Sequence, residues 1–172
     1  NMAAELKYRE TKMTIALTPN AANHENLSEL ESRFVSVAQL PWEKTDFEGI
    51  KVKTLLVDKE TGLLTALMRM EPGAKLPDHE HMLIEQTYVL EGHLVCPEGE
   101  CLEGNFVWRP AGSRHTAWSP NGGLFLAMFQ VPNKFFRGDD ETDMLDQDWD
   151  AVWGETASYK AIRGEGIEFV TS

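Results

Sequence analysis

Gly73-Ala-Lys-Leu-Pro-Asp-His79-Glu-His81-Met-Leu-Ile-Glu85, running on to Gly92, and then Gly104 through Arg109-Pro110-Ala-Gly112-Ser-Arg-His115 to Ser119, decide how this 172-residue chain is read. Three of its five histidines and one well-placed carboxylate stand here. On a strand, residues i and i+2 share a face, so His79 and His81 can present both imidazoles to one ion. Glu85 follows across a short irregular link, where the next strand starts. The Pro110-Ala-Gly112 turn can bring His115 opposite the first pair. Three neutral imidazoles and a carboxylate suit Fe(II), Mn(II), Ni(II), Zn(II) or Cu(II) on donor type. Such a shell leaves +1 on a divalent ion, and an octahedral one leaves two positions for water, substrate or dioxygen. A His-x-His pair alone carries little weight, because a histidine on a strand is usually an ordinary core or surface residue. The ordered set of glycines, proline and four donors is what separates this stretch from chance.

Working outward, residues 50–57 alternate and then turn apolar, residues 58–62 supply a turn, and residues 63–70 return, which predicts a hairpin. Further strands are expected over 34–37, 86–90, 93–95, 105–109, 116–118 and 124–131, punctuated by Gly and Pro. Many short strands at such spacing argue for a sandwich or barrel. Ser28-Glu-Leu-Glu31 fits a capping box and predicts a short helical turn. Cys96 and Cys101 flank Pro97-Glu-Gly-Glu100, so they are expected across a hairpin, as free thiols in a reducing compartment or as a cross-strand disulfide. Two thiols without further Cys or His at finger-like spacing make a poor zinc site.

From residue 139 to residue 150, seven of twelve residues are acidic, and Met144, Leu145, Trp149, Val152 and Trp153 recur at spacings that fit a short helix with one apolar face. The Asp spacing lacks the glycine and terminal glutamate of a calcium loop, so a solvated face docking its tryptophans on a barrel or second subunit is the expectation. The net charge of −12 argues against nucleic acid and against an anionic membrane surface. No apolar run is long enough for a spanning helix. Asn1-Met2 reads as a cloning remnant, no signal peptide follows it, and a cytoplasmic address is expected.

Both halves of the opening stretch resemble the cupin superfamily. Its first motif reads Gly, five residues, His-x-His, three residues, Glu, six residues, Gly, and Gly73, His79, His81, Glu85 and Gly92 fill it. Its second reads Gly, five residues, Pro-x-Gly, two residues, His, three residues, Asn; Gly104, Pro110, Gly112 and His115 fit, and Ser119 replaces the Asn. Over roughly residues 40–137, Pro41-Trp42, Gly49-Ile50, Glu85-Gln-Thr-Tyr-Val-Leu-Glu-Gly92 and Pro120-Asn-Gly are similar to the ChrR-type cupins. That group includes an anti-sigma factor's metal-binding domain and proteins described as acetylacetone-cleaving dioxygenases.

The resemblance implies an all-β fold, the RmlC-like jelly-roll barrel, over residues 35–132. An arm over 1–34 and an acidic, partly helical extension over 133–172 would flank it. It implies a homodimer, one divalent transition metal per chain held by His79, His81, Glu85 and His115, and a small-molecule substrate. Fe(II) is favoured for an enzyme, with Zn, Ni or Mn as alternatives. The expected activity is that of a metal-dependent dioxygenase on a small diketone or related carbonyl compound, the metal serving as Lewis acid, template and electron donor. The alternatives are a non-catalytic small-molecule, metal- or redox-sensing cupin and a metal-dependent lyase or isomerase. Glu85 itself counts against acetylacetone, because the enzyme that cleaves it holds iron with three histidines alone. The anti-sigma relative's separate zinc-binding domain has no counterpart in residues 1–34, which hold one histidine, His24, and no cysteine. Arg69, Arg109 and Gln130 are pocket candidates, with Arg114 and Tyr88 beside barrel strands. Parity from Glu85 turns Thr87 and Val89 inward and Tyr88 outward. His93 is expected as an ordinary strand residue, and Trp108, Trp118, Phe125 and Phe129 as core or dimer contacts.

Overall fold

The computed structural model describes residues 16–58, 61–130, 133–136 and 144–146. Twelve strands follow in chain order: β1 (Ala16–Leu17), β2 (Glu43–Lys44), β3 (Ile50–Asp58), β4 (Leu63–Met70), β5 (Lys75–Glu80), β6 (Glu85–Cys96), β7 (Gly99–Leu102), β8 (Phe106–Arg109), β9 (Arg114–Trp118), β10 (Gly123–Gln130), β11 (Lys134–Phe136) and β12 (Met144–Asp146). All described pairings are antiparallel. The main path runs β1-β3-β4-β10-β6-β9-β5-β11-β12, with β2 on β3 and with β7 and β8 on β6. It forms one sheet curled over a shared interior, the expected barrel-like architecture. No helix among the described residues is long and apolar enough to cross a membrane.

The β3–β4 hairpin stands where its alternation and its Gly62 turn place it. Strand β6 departs from expectation. Glu91-Gly92 reads as a break, yet Glu85–Cys96 form one strand. Its first half pairs with β10 and β8, and its second half with β7 and β9. The two halves are joined by a bulge: Val89 faces Phe125 and Glu91 faces Leu124, which leaves Leu90 extra. A bulge inserts one residue and bends its strand. Inward parity therefore changes, from Glu85, Thr87 and Val89 before it to Leu94 and Cys96 after it. Gly92 (φ +74°) sits at this crossing, and a Cβ there would overlap the Gly122 carbonyl oxygen.

Ile50, Met70, Val89, Leu94, Ala117 and Phe125 form the apolar interior, with Val89 and Phe125 fully buried. Ser119, the residue that departs from the second motif, is fully buried as well. Its hydroxyl donates to the His93 carbonyl at 2.7 Å, and its own carbonyl accepts from the Gly73 amide at 2.8 Å. It thereby ties the start of the first motif to the end of the second.

Two local expectations fail. Residues 34–37 form no strand; Phe34 is exposed, and a short 3-10 turn, Val37–Gln39, follows. The Phe34 and Val37 carbonyls there accept from the side chains of Asn23, His24 and Lys53 instead of from a strand. Ser28–Glu31 make a turn rather than a helix, although the Glu31 carboxylate does accept from the Ser28 amide at 2.6 Å. In the extension, Met144–Asp146 run as a strand against β11 instead of opening a helix. The rest of the expected helix, with Trp149, Val152 and Trp153, lies outside the described residues, as do residues 1–15 of the arm.

Candidate metal centre

Strands β5 and β9 pair so that His79 stands directly opposite His115. His81 lies one residue beyond the end of β5, where its amide donates to the Ser113 carbonyl at 2.9 Å and its carbonyl accepts from the Gly112 amide at 2.7 Å. Gly112 adopts φ +82°, the left-handed conformation this turn needs. The local chain thus delivers His81 to the same interior space by backbone hydrogen bonds rather than by strand parity alone.

The three rings converge. Ligand nitrogens of His79, His81 and His115 lie within 4.8 Å of one another, and the residues are only 2%, 0% and 5% exposed. The Nε2 atoms of His81 and His115 are 2.9 Å apart. Two nitrogens in neighbouring positions on an octahedral ion, each at about 2.1 Å from it, would stand ~3.0 Å apart, so the spacing fits a shared ion. His79 Nδ1 donates to the Pro77 carbonyl at 2.8 Å, which fixes the ring and turns Nε2 free for a metal. His115 Nδ1 is buried without a hydrogen-bond partner among the described residues.

Burial pushes the His79 imidazole down, and it takes His115 to about 3 with help from the Arg109 cation and the neighbouring rings. Both rings are therefore unprotonated at neutral pH, as metal ligands must be. The donor set and its protonation fit a divalent transition metal.

Glu85 stands beside this group rather than within it. Its Oε2 is 3.1 Å from His81 Nδ1, near enough for an ion pair but too poorly aligned for a hydrogen bond. Its Oε1 accepts from Thr87 Oγ1 at 3.1 Å and from Arg109 at 3.3 Å. Burial alone would raise this carboxyl. Proximity to His81 and then the charges of Arg109 and His79 outweigh it and take Glu85 down to about 2. Arg109 is permanently charged, so its contribution persists across the whole pH range.

Among the softer candidates, only Arg109 joins the site. It is 6% exposed, and its second terminal nitrogen donates to Cys96 Sγ at 3.1 Å. Arg69 pairs with Glu91 in solvent, Arg114 pairs with Asp78, and Gln130 is exposed at the end of β10. Thr87 and Val89 are buried and Tyr88 is exposed, as parity requires. Phe125 is core, while Trp108 and Trp118 are exposed. Cys96 and Cys101 are unbonded; Cys101 faces Leu94 and Cys96 faces Gly99 across the β6–β7 hairpin.

Three residues near the site carry no sequence signal. Asn133 Nδ2 lies 3.4 Å from Glu85 Oε2, the Phe135 ring packs 5.2 Å from His79, and Glu98 Oε1 lies 3.6 Å from His115 Nδ1. The pairing of β11 with β5 delivers the first two, and a three-residue strand has too little pattern to announce itself. Beside the centre opens a cleft of about 520 Å³, lined by Leu94, Cys96, Glu98, Trp108, Arg109 and Ser113 among others.

A family model described as a ChrR Cupin-like domain matches residues 30–134. No curated protein matches. A Methylibium petroleiphilum PM1 protein provisionally named an acetylacetone dioxygenase aligns at TM-score 0.63 and 21% identity, over 75% of this chain and 99% of its own. An RmlC-like cupin protein from Ralstonia eutropha JMP134 aligns at 0.63 and 17%, over 83% and 95%. An acetylacetone dioxygenase from Acinetobacter johnsonii aligns at 0.55 and 19%, over 66% and 80%. At these identities the likeness is one of fold.

Proposed function

The chain belongs to the ChrR Cupin-like domain family, and on that footing we propose that it is a metal-dependent dioxygenase acting on a small diketone or related carbonyl compound. The observation that carries the reading is the convergence of three buried imidazoles inside the barrel. His79, His81 and His115 would hold one divalent metal, with Glu85 as a fourth donor on the strength of its place beside His81. When bound, the metal supplies Lewis acidity, a template and, as Fe(II), electrons toward dioxygen. The protein's part is orientation and charge. The Pro77 carbonyl holds His79, and Arg109, which holds Glu85, also lines the cleft that would admit a carbonyl compound. We further propose a homodimer in the cytoplasm; the exposed Tyr88, Leu90 and Phe106 on β6 and β8 support the dimer alone.

The test is oxygen uptake by Fe(II)-reconstituted protein against a panel of diketones, and uptake with at least one is expected. His81→Ala should abolish both uptake and stoichiometric metal. The second reading is a non-catalytic metal or redox sensor, favoured by the near-complete burial of all three imidazoles. Absence of uptake with every substrate, combined with tight zinc retention, would select it.

A further inference from the structure

A second group of donors lies on the other side of His115. Cys96, Glu98 and His115 place one ligand atom each within 4.8 Å of one another. These residues come from the β6–β7 hairpin and from β9, which meet where Val95 pairs with Trp118. Neither Cys96 nor Glu98 belongs to the cupin motifs, and the three-histidine centre makes no use of them.

Three observations single this group out. His115 is 5% exposed, and its Nδ1 has no hydrogen-bond partner among the described residues. Leaving a buried polar atom unpaired costs about 1–3 kcal/mol, so such an atom calls for an explanation. That nitrogen lies 3.6 Å from Glu98 Oε1, on the opposite side of the imidazole from the Nε2 that meets His81. Second, Cys96 and Glu98 both line the open cleft of about 520 Å³, which gives an ion a route from solvent. The Ser113 hydroxyl, also without a partner among the described residues, lines the same cleft. Third, the charges suit a dication. Burial pushes the free Cys96 thiol up, so it is a thiol until a metal displaces its proton; the thiolate then formed and the Glu98 carboxylate place two negative charges beside His115. Arg109, which touches Cys96 Sγ, is already balanced by Glu85 at 3.3 Å.

We propose that Cys96, Glu98 and the Nδ1 of His115 form a second metal site, suited to a thiophilic divalent ion such as Zn(II), at the inner end of this cleft. Sulfur, nitrogen and carboxylate oxygen are all zinc donors, and three protein ligands leave a fourth tetrahedral position open. This donor set is softer than the three-imidazole group, so the two select different metals. His115 belongs to both, one nitrogen to each. Occupancy of the cleft site therefore acts on the inner centre through a shared ring. On binding, the Cys96 thiol exchanges its proton for the metal and that proton passes to solvent; when both sites are filled, His115 also gives its remaining ring proton to solvent and bridges them as an imidazolate.

The experiment uses the full chain stripped of metal and titrated with Co(II) alone. The wild type is expected to develop a near-ultraviolet thiolate-to-cobalt charge-transfer band. Cys96→Ser should lose the band while still binding Co(II) at the imidazoles. Cys101→Ser should keep it. His79→Ala, which removes a ligand used only by the inner group, should leave the band in place. That result would stand even if the three-histidine centre bound nothing, so the two readings fail separately. A wild type without the band, or a band that survives in Cys96→Ser, would overturn the proposal.

Discussion

Arg109 reaches the Glu85 carboxylate with one terminal nitrogen and the Cys96 sulfur with the other, and almost none of it is exposed. Removing one member of a buried ion pair leaves the other charged and unsolvated, at a cost of ~3–5 kcal/mol. Arg109→Met is therefore expected to lower unfolding free energy by about that much in urea denaturation, and Arg109→Lys to recover only part of it, since an ammonium cannot fork. Residues of this kind are half legible in sequence. Arg69 and Arg109 are both strand arginines near the motifs. Only the register Glu85↔Arg109 across β6 and β8 decides between them, and register is a tertiary fact. The histidines are legible for the opposite reason, because their spacing along one short stretch already fixes their convergence. They also set the acid response of the metal-free protein. His115 titrates near 6.5 when unfolded and about 3 when folded, so folding favours its unprotonated ring. Its contribution is complete above pH 6.5 and is lost as pH falls toward 3. Glu85 has the same sign over a lower window, from 4.5 down to about 2. The melting temperature of metal-free protein should fall steadily between about pH 7 and about pH 4, and His115→Gln should fall less over that interval.

Strand β6 carries much of the architecture, and Gly92 is its most constrained residue. Its φ of +74° strains any L side chain, and a Cβ would also run into the Gly122 carbonyl. The backbone conformation alone costs ~1–3 kcal/mol, and the overlap adds to it. Gly92→Ala is expected to lower the melting temperature by several degrees or prevent folding, read by calorimetry; a melting temperature equal to the wild type would show that the crossing can relax. The same glycine explains why β6 was not legible as one element. In sequence Glu91-Gly92 has the composition of a turn, whereas in the fold the glycine permits a close crossing with Gly122 and Gly123. The β3–β4 hairpin poses no such problem, because alternation and a turn at Gly62 agree. Residues 34–37 err the other way: their composition suits a strand, but the Phe34 ring is exposed and its carbonyl accepts from the Asn23 and His24 side chains instead of from a neighbouring strand.

At the scale of the whole molecule, the outer face of β6 and β8 is apolar where solvent would favour polar side chains. Tyr88 faces Phe106 directly, and both are exposed. Tyr88→Glu should shift the proposed dimer to monomer in light scattering while metal content stays unchanged; a variant as large as the wild type would move the interface elsewhere. The two sheet regions cannot part independently, since β6 belongs to both. The bulge at Leu90 governs what each of them encloses. It works as a reading-frame shift written in backbone. Delete that one residue and the bulge closes up: plain alternation from Val89 through Glu91 and Gly92 still turns Leu94 and Cys96 inward. The bulge is therefore a place where the ribbon can lose a residue and keep its cavity, whereas a residue lost after Gly92 has no bulge to absorb it and turns Cys96 out of the cleft with no side chain substituted.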